Sequence, residues 1–255
     1  MSALLSVQGL TRRFGELRAA DGIDLEVGTG GVHALIGPNG AGKSTLINLL
    51  TGALKPDAGQ VRFDGHDITA LSTHARVARG LARSFQVTNV FRGFSALQNV
   101  ALAVQARSAP AGGLRHWLRP IAAERALFDE AAAILDQVGL AARKSVPAAA
   151  LAHGELRQLE LALALASRPR LLLLDEPMAG QGPDESARMV EQLAQLKAQR
   201  GVTLLLIEHD MDAVFRLADT ISVLVYGRVI ATGTPDAIRA DAQVRKAYLG
   251  DEVLP

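Results

Sequence analysis

Gly37-Pro38-Asn39-Gly40-Ala41-Gly42-Lys43-Ser44-Thr45 follows the apolar run Val32-His33-Ala34-Leu35-Ile36 and precedes Leu46-Ile47-Asn48-Leu49-Leu50. The nine residues fit G-x-x-x-x-G-K-[ST], in which glycines let the backbone curl until successive N–H groups point inward at phosphate oxygens. The flanks read as a strand and a helix, so the helix adds the positive end of its dipole to the same cradle. In such a loop Lys43 reaches the β- and γ-phosphates, and the Ser44 hydroxyl can ligate Mg2+. A nucleotide with Mg2+ is therefore the expected ligand. A glycine-rich turn lacking the strand before and the helix after would not supply these donors.

Outward from this loop, short strand-like runs fill the first third: Leu4 to Val7, Gly22 to Val27, and Gln60 to Phe63 after the turn Pro56-Asp57-Ala58-Gly59. Asp64-Gly65 marks another tight turn. From Val100 to Ser167 the pattern becomes Ala/Leu-rich helix, with Ile121, Leu127, Phe128, Ala131, Ile134, Leu135 and Val138 at helical spacing. Beyond it, the runs 171–174, 202–207 and 221–225 alternate with helical stretches, as buried parallel strands do. The expected fold is α/β: a core sheet around the phosphate loop, with an N-terminal antiparallel β subdomain and an inserted α-helical subdomain. In a single domain, residues 1–86 and 168–255 would form the core and 87–167 the helical insert.

Four leucines lead into Asp175-Glu176-Pro177, delivering two adjacent carboxylates to the carboxyl end of a strand, where ligands of open α/β sheets bind. There Asp175 would hold Mg2+ or its water shell, and Glu176 would accept the proton of an attacking water.

Lys and Arg number 27 against 26 Asp and Glu, so no broad attraction to nucleic acid is expected. The absence of cysteine excludes disulfides and thiolate metal sites. His33, His66 and His74 lack metal-ligand spacing. No run approaches the roughly 18 apolar residues of a bilayer span, so a membrane role would come through a partner.

With these motifs in order, the chain resembles an ATP-binding cassette (ABC) ATPase over nearly its whole length. The resemblance implies that Phe14 stacks on adenine, and that Gln86, in Ser84-Phe85-Gln86, senses the γ-phosphate, contributes to the metal site and touches the transport partner. It implies that His209, after Leu206-Ile207-Glu208, holds the γ-phosphate and the attacking water. Lys43, Gln86, Glu176 and His209 are thus the catalytic candidates, Ser44, Gln86 and Asp175 the metal candidates.

Leu151-Ala152-His153-Gly154-Glu155 occupies the family's signature position but departs from Leu-Ser-Gly-Gly-Gln at Ala152, His153 and Glu155. In the family the signature of one subunit completes the nucleotide site of another, so the lost serine removes one donor, while Gly154 and the helix N-terminus retain theirs. The run His153 to Glu160, the segment Met178-Ala179-Gly180-Gln181-Gly182-Pro183 and the tail Val244 to Gly250 are similar to ATPases that serve importers of branched-chain and other hydrophobic amino acids. Gln86 to Phe91, Asn99-Val100 and the extra length before Ile121 fit that group as well. Its members imply two membrane permease subunits, a second ATPase subunit (heterodimer, or homodimer), a periplasmic binding protein acting indirectly, and residence at the cytoplasmic face of the inner membrane. The same cassette also serves lipopolysaccharide exporters and soluble scaffold or switch ATPases. The long segment before Ile121 and Tyr248-Leu249-Gly250 argue against the exporter. Zero cysteines argue against an iron–sulfur scaffold, and Glu176 with His209 against a non-hydrolysing switch. The basic segment Arg107 to Arg119 around Trp117 reads as a solvated loop or a membrane-side contact.

Overall fold

The computed structural model describes residues 3–84, 90–108 and 125–249. Two sheets organise them. The first is antiparallel, in the order β2-β1-β4-β5, formed by β1 (Ala3–Phe14), β2 (Leu17–Gly28), β4 (Ala58–Phe63) and β5 (His66–Asp67). The second has six strands, β10-β9-β3-β8-β7-β6: β3 (Val32–Ile36), β6 (Leu81–Arg83), β7 (Leu171–Asp175), β8 (Thr203–Ile207), β9 (Thr220–Val225) and β10 (Arg228–Gly233). All pairings in it are parallel except the edge pair β9 and β10.

All residues of β3, β7 and β8 are buried. A strand covered on both faces needs apolar residues at every position, which is why these segments read as continuous runs. Side chains still alternate between the two faces. Leu172, Leu174, Leu204 and Leu206 join the core shared with the helices α3 (Ala96–Ser108), α4 (Arg125–Gln137), α5 (His153–Ala166), α6 (Pro183–Arg200) and α7 (Met211–Leu217). Leu171, Leu173, Leu205 and Ile207 join the opposite core, with α1 (Lys43–Thr51) and the antiparallel sheet, and the short α2 (Thr73–Ala78) leads into β6. Register in β7 and β8 is thus pinned from both sides, since a one-residue slip would exchange the two sets.

Several sequence expectations needed extension. β1 and β2 run well past Leu4 to Val7 and Gly22 to Val27, with register shifts along their pairing. Their polar outer positions and irregular pairing hide the strand period from a sequence reading. Helix α3 begins at Ala96 rather than near Val100, because Ser95 and Gln98 form a reciprocal cap: the Gln98 N–H donates to Ser95 Oγ at 3.2 Å and the Ser95 N–H to Gln98 Oε1 at 2.8 Å. The span from Val100 to Ser167 is also not continuous helix; short 3-10 turns at Ala141–Arg143 and Ala148–Ala150 interrupt it. Strands β6 and β10 escaped the sequence reading: one has only three residues, the other is a half-exposed edge strand. Arg107, expected in the basic loop, instead sits in the last turn of α3 and pairs with Glu130 at 2.9 Å, while Gln86, residues 109–124 with Trp117 and Ile121, and Gly250 lie outside the described residues.

Candidate functional site

The loop between β3 and α1 depends on glycine for a steric reason. Gly42 sits at φ +105°, and a Cβ there would run into the Ala19 carbonyl. It also N-caps α1, so the first helical amides face the cleft. Lys43 opens that helix. Its ammonium donates to the Gly37 carbonyl at 2.5 Å and to the Pro38 carbonyl at 3.0 Å. Burial pushes the Lys43 pKa down, and the nearby Glu176 and Asp175 carboxylates pull it back up.

A cleft of about 380 Å3 opens over this loop, with Phe14, Arg18, Lys43, Ser44, Glu176 and Tyr226 among its walls. An adjoining cleft of about 420 Å3 is lined by Gly37, Pro38, Asn39, Glu176 and His209. Asn39 and Glu176 belong to both. At the outer end Phe14 is 47 % exposed, with the Arg12 guanidinium 5.2 Å from its ring centroid. A ring left half open and backed by a cation is suited to stacking against a flat aromatic ligand. Tyr226, 85 % exposed at φ +47° in the β9–β10 turn, presents a second ring to the same cleft. Nothing in its sequence beyond an aromatic beside Gly227 announces it.

Asp175 and Glu176 end β7 in different environments. Asp175 is buried, and its Oδ2 accepts from Arg83 Nη2 at 2.7 Å. Arg83 Nη1 donates to Asn48 Oδ1 at 2.8 Å, so one guanidinium joins β6, the carboxylate of β7 and helix α1. Glu176 instead takes a left-handed backbone, φ +49°, a conformation that costs a non-glycine residue about 1–2 kcal/mol. Its N–H donates to the Ile207 carbonyl at 2.9 Å, which holds the turn against β8. His209 leaves β8 two residues later. Its Nδ1 lies 4.0 Å from Glu176 Oε1 and 3.8 Å from Glu208 Oε2.

The signature segment stands elsewhere. Ala152, in extended backbone, is the N-cap of α5 and has no side-chain acceptor to offer. Glu155 supplies half of a cap: its carboxylate accepts the Ala152 N–H at 2.9 Å and the Arg143 guanidinium at 2.7 Å. Those two partners, the backbone amide first, hold the Glu155 pKa below the usual range. Ala152, Gly154 and Glu155 line a separate cavity of about 250 Å3 with Gln181, Glu185 and Arg188. They are absent from the walls of the two clefts over the phosphate loop. Thus the structure brings Phe14, residues 37–45, Glu176 and His209 together, sets Asp175 just beneath them, and leaves Ala152, His153, Gly154 and Glu155 on another face. Gln86 is outside the described residues. Arg83, Glu208 and Tyr226 are the site residues that sequence reasoning missed.

Among the described residues, no group of three or more His, Cys, Asp or Glu could hold a metal ion by itself. Nor is any helix there long and apolar enough to cross a membrane.

Comparison with known proteins agrees with this geometry. The sequence model of the ABC transporter family matches residues 20–179, and that of the branched-chain amino acid ATP-binding cassette transporter matches residues 228–253. The chain is 41 % identical over 251 residues to the high-affinity branched-chain amino acid transport ATP-binding protein BraF of Pseudomonas aeruginosa, covering 97 % of this chain and 98 % of that one. It is 38 % identical over 250 residues to the corresponding protein LivG of Escherichia coli, with the same coverage. Among solved structures, the ADP conformation of an ATP-binding cassette of an ABC transporter superposes with a TM-score of 0.84 at 31 % identity, covering 98 % of this chain and all of that one. A phosphate loop at the end of a buried parallel strand, carboxylates on the next strand but one, and these full-length matches lead to one conclusion: the chain belongs to the ABC transporter family and is its ATP-binding, ATP-hydrolysing cassette.

Proposed function

We propose that this cassette drives uptake of branched-chain or related hydrophobic amino acids through membrane permease partners. The observation that carries the reading is the C-terminal match at residues 228–253, joined to BraF and LivG similarity over 97 % of the chain. In this reading residues 1–86 with 168–255 form the nucleotide-binding core, and 87–167 the helical subdomain.

Phe14 and Tyr226 flank the base, while the backbone amides of residues 39–45 and the Lys43 ammonium hold the phosphates. The donor set suits Mg2+: a hydroxyl at Ser44 and a carboxylate at Asp175 are hard oxygen donors that would hold it beside the phosphates. Gln86 is a third candidate. When bound, the ion neutralises charge on the β- and γ-phosphate oxygens. Glu176 takes the proton from the attacking water, and His209 aligns that water and the γ-phosphate. Lys43 stabilises the charge that builds on the phosphoryl oxygens. A second ATPase subunit presents its signature to this site, as Ala152, His153, Gly154 and Glu155 here do to the partner's nucleotide. ATP then favours the closed pair and hydrolysis reopens it, a population shift that the permeases convert into alternating access.

A largely apolar cleft of about 230 Å3 between Thr51, Val77 and Leu163, with Arg83 in its wall, supports a docking place for a permease segment. Such docking would hold the chain at the cytoplasmic face of the membrane. Affinity purification from gently solubilised host membranes tests the reading. Co-recovery of two polytopic subunits and a second ATPase is the expected result. Recovery from the soluble fraction alone would overturn the transport assignment.

A further inference from the structure

Glu208 has no part in the scheme above, yet it is a carboxylate with 0 % of its side chain exposed. Oε1 accepts the Met178 N–H at 2.8 Å, and Oε2 accepts the His209 N–H at 3.0 Å with the Asp210 N–H at 3.5 Å. One carboxylate therefore grips two chain segments, the one leaving β7 just past Glu176 and the one leaving β8 at His209. Main-chain bonds complete the clamp: the Glu176 N–H reaches the Ile207 carbonyl at 2.9 Å, and the Ala179 N–H reaches the Glu176 carbonyl at 3.1 Å.

Burying a carboxylate costs several kcal/mol unless N–H donors meet it, and an apolar residue of similar size would fill the space without that cost. Desolvation accordingly raises the Glu208 pKa, and the three backbone amides oppose the rise. What an apolar residue could not do is hold the two turns to each other by hydrogen bonds, where their own side chains, Glu176 Oε1 and His209 Nδ1, stand 4.0 Å apart. Glu176 needs such a fix, because its left-handed backbone persists only where neighbouring groups impose it. His209 needs it too, since its ring is exposed and its place is set by its backbone.

We propose that Glu208 is a positioning residue for hydrolysis, holding the Glu176–Met178 turn and the His209 backbone at the separation that lets carboxylate and imidazole face the same γ-phosphate. The inference rests on the roles assigned to Glu176 and His209. Glu208→Gln keeps the volume but turns an NH2 group toward one of the backbone amides, which breaks one side of the clamp. Glu208→Asp keeps the charge and shortens the reach.

The test uses the full chain with Mg-ATP: steady-state kcat and KM, binding of a fluorescent ATP analogue, and thermal melting, with Glu176→Gln as reference. For Glu208→Gln, kcat is expected to fall about tenfold to a hundredfold, with KM, analogue binding and melting temperature near the parent's. Glu208→Asp is expected to recover part of kcat. A parental kcat in Glu208→Gln overturns the proposal. So does a joint loss of kcat, affinity and melting temperature without recovery by aspartate, which would make Glu208 merely structural. If Glu208→Gln does not fold, Glu208→Asp is judged by the same split between kcat and KM. A parental rate in Glu176→Gln would instead remove the assigned role of Glu176, and this proposal with it.

Discussion

In the clefts over the phosphate loop, Lys43, Glu176 and His209 come from three separate segments and face one space. At the start of α5, Ala152, Gly154 and Glu155 meet groups of neighbouring helices, and the Glu155 carboxylate is spent on its own helix cap and on Arg143. In the proposed scheme the first region draws its phosphate cradle, its base and its histidine from one chain. The second displays the first amides of α5 away from the clefts over the phosphate loop, in a cavity shared with Gln181, Glu185 and Arg188. Substitutions in the first should therefore act on the isolated chain, and substitutions in the second chiefly on the paired one.

The sharpest way to break that contrast is Glu176→Gln. ATP turnover should drop by roughly a hundredfold to ten-thousandfold, the range for losing a general base, while ATP binding persists. Single-turnover hydrolysis alongside nucleotide binding checks it, and unchanged turnover would move the base elsewhere.

The strand that feeds the phosphate loop offers a second lever. His33 on β3 is buried against Ser222, 2.9 Å away, and burial pushes its pKa down from 6.5 to about 4. Below pH 6.5 the unfolded chain takes up a proton that the folded chain refuses, so stability falls as pH drops through 6.5 and the loss is complete near pH 4. The expected loss is about 3 kcal/mol. Denaturant midpoints between pH 7 and 4 measure it, and His33→Gln should flatten that part of the profile. An unaltered slope would mean other groups govern it.

Lys43→Ala should weaken ATP binding about tenfold to a hundredfold, the worth of hydrogen bonds from a charged donor. Ala152→Ser should leave the isolated chain's ATP affinity alone. Calorimetry on both variants draws the line between the two regions, and it disappears if Ala152→Ser shifts affinity as much as Lys43→Ala.

The smallest effect sharpens the signature side. A serine at the N-cap of α5 adds the acceptor that alanine lacks and should stabilise the fold by about 1 kcal/mol, read as a raised melting temperature. In the assembled transporter the same hydroxyl should raise turnover, and a rate unmoved by it would show that Gly154 and the helix amides suffice.

Much of the site was legible because its logic is local. Residues 37–45 announce a phosphate loop by spacing alone, and the leucines before Asp175 reveal a strand buried on both faces. Arg83 was not legible, since it sits in a three-residue strand and meets Asp175 only because β6 pairs beside β7. Tyr226 and Glu208 were missed for a related reason: an exposed turn aromatic and a carboxylate after an apolar run carry no pattern until their neighbours are known.

Sequence by itself determined the chemistry: which backbone curls and which strand ends in two carboxylates, because turn geometry and side-chain parity are properties of neighbours along the chain. Only the tertiary structure decided who meets whom. Parallel register between β7 and β8 sets Asp175 opposite Ile207, brings Glu176 toward His209, and allows one buried carboxylate to clamp both turns. The β7–β8 pairing and the Glu208–Met178 contact join residues about thirty positions apart, and their energy depends on burial that no local segment possesses.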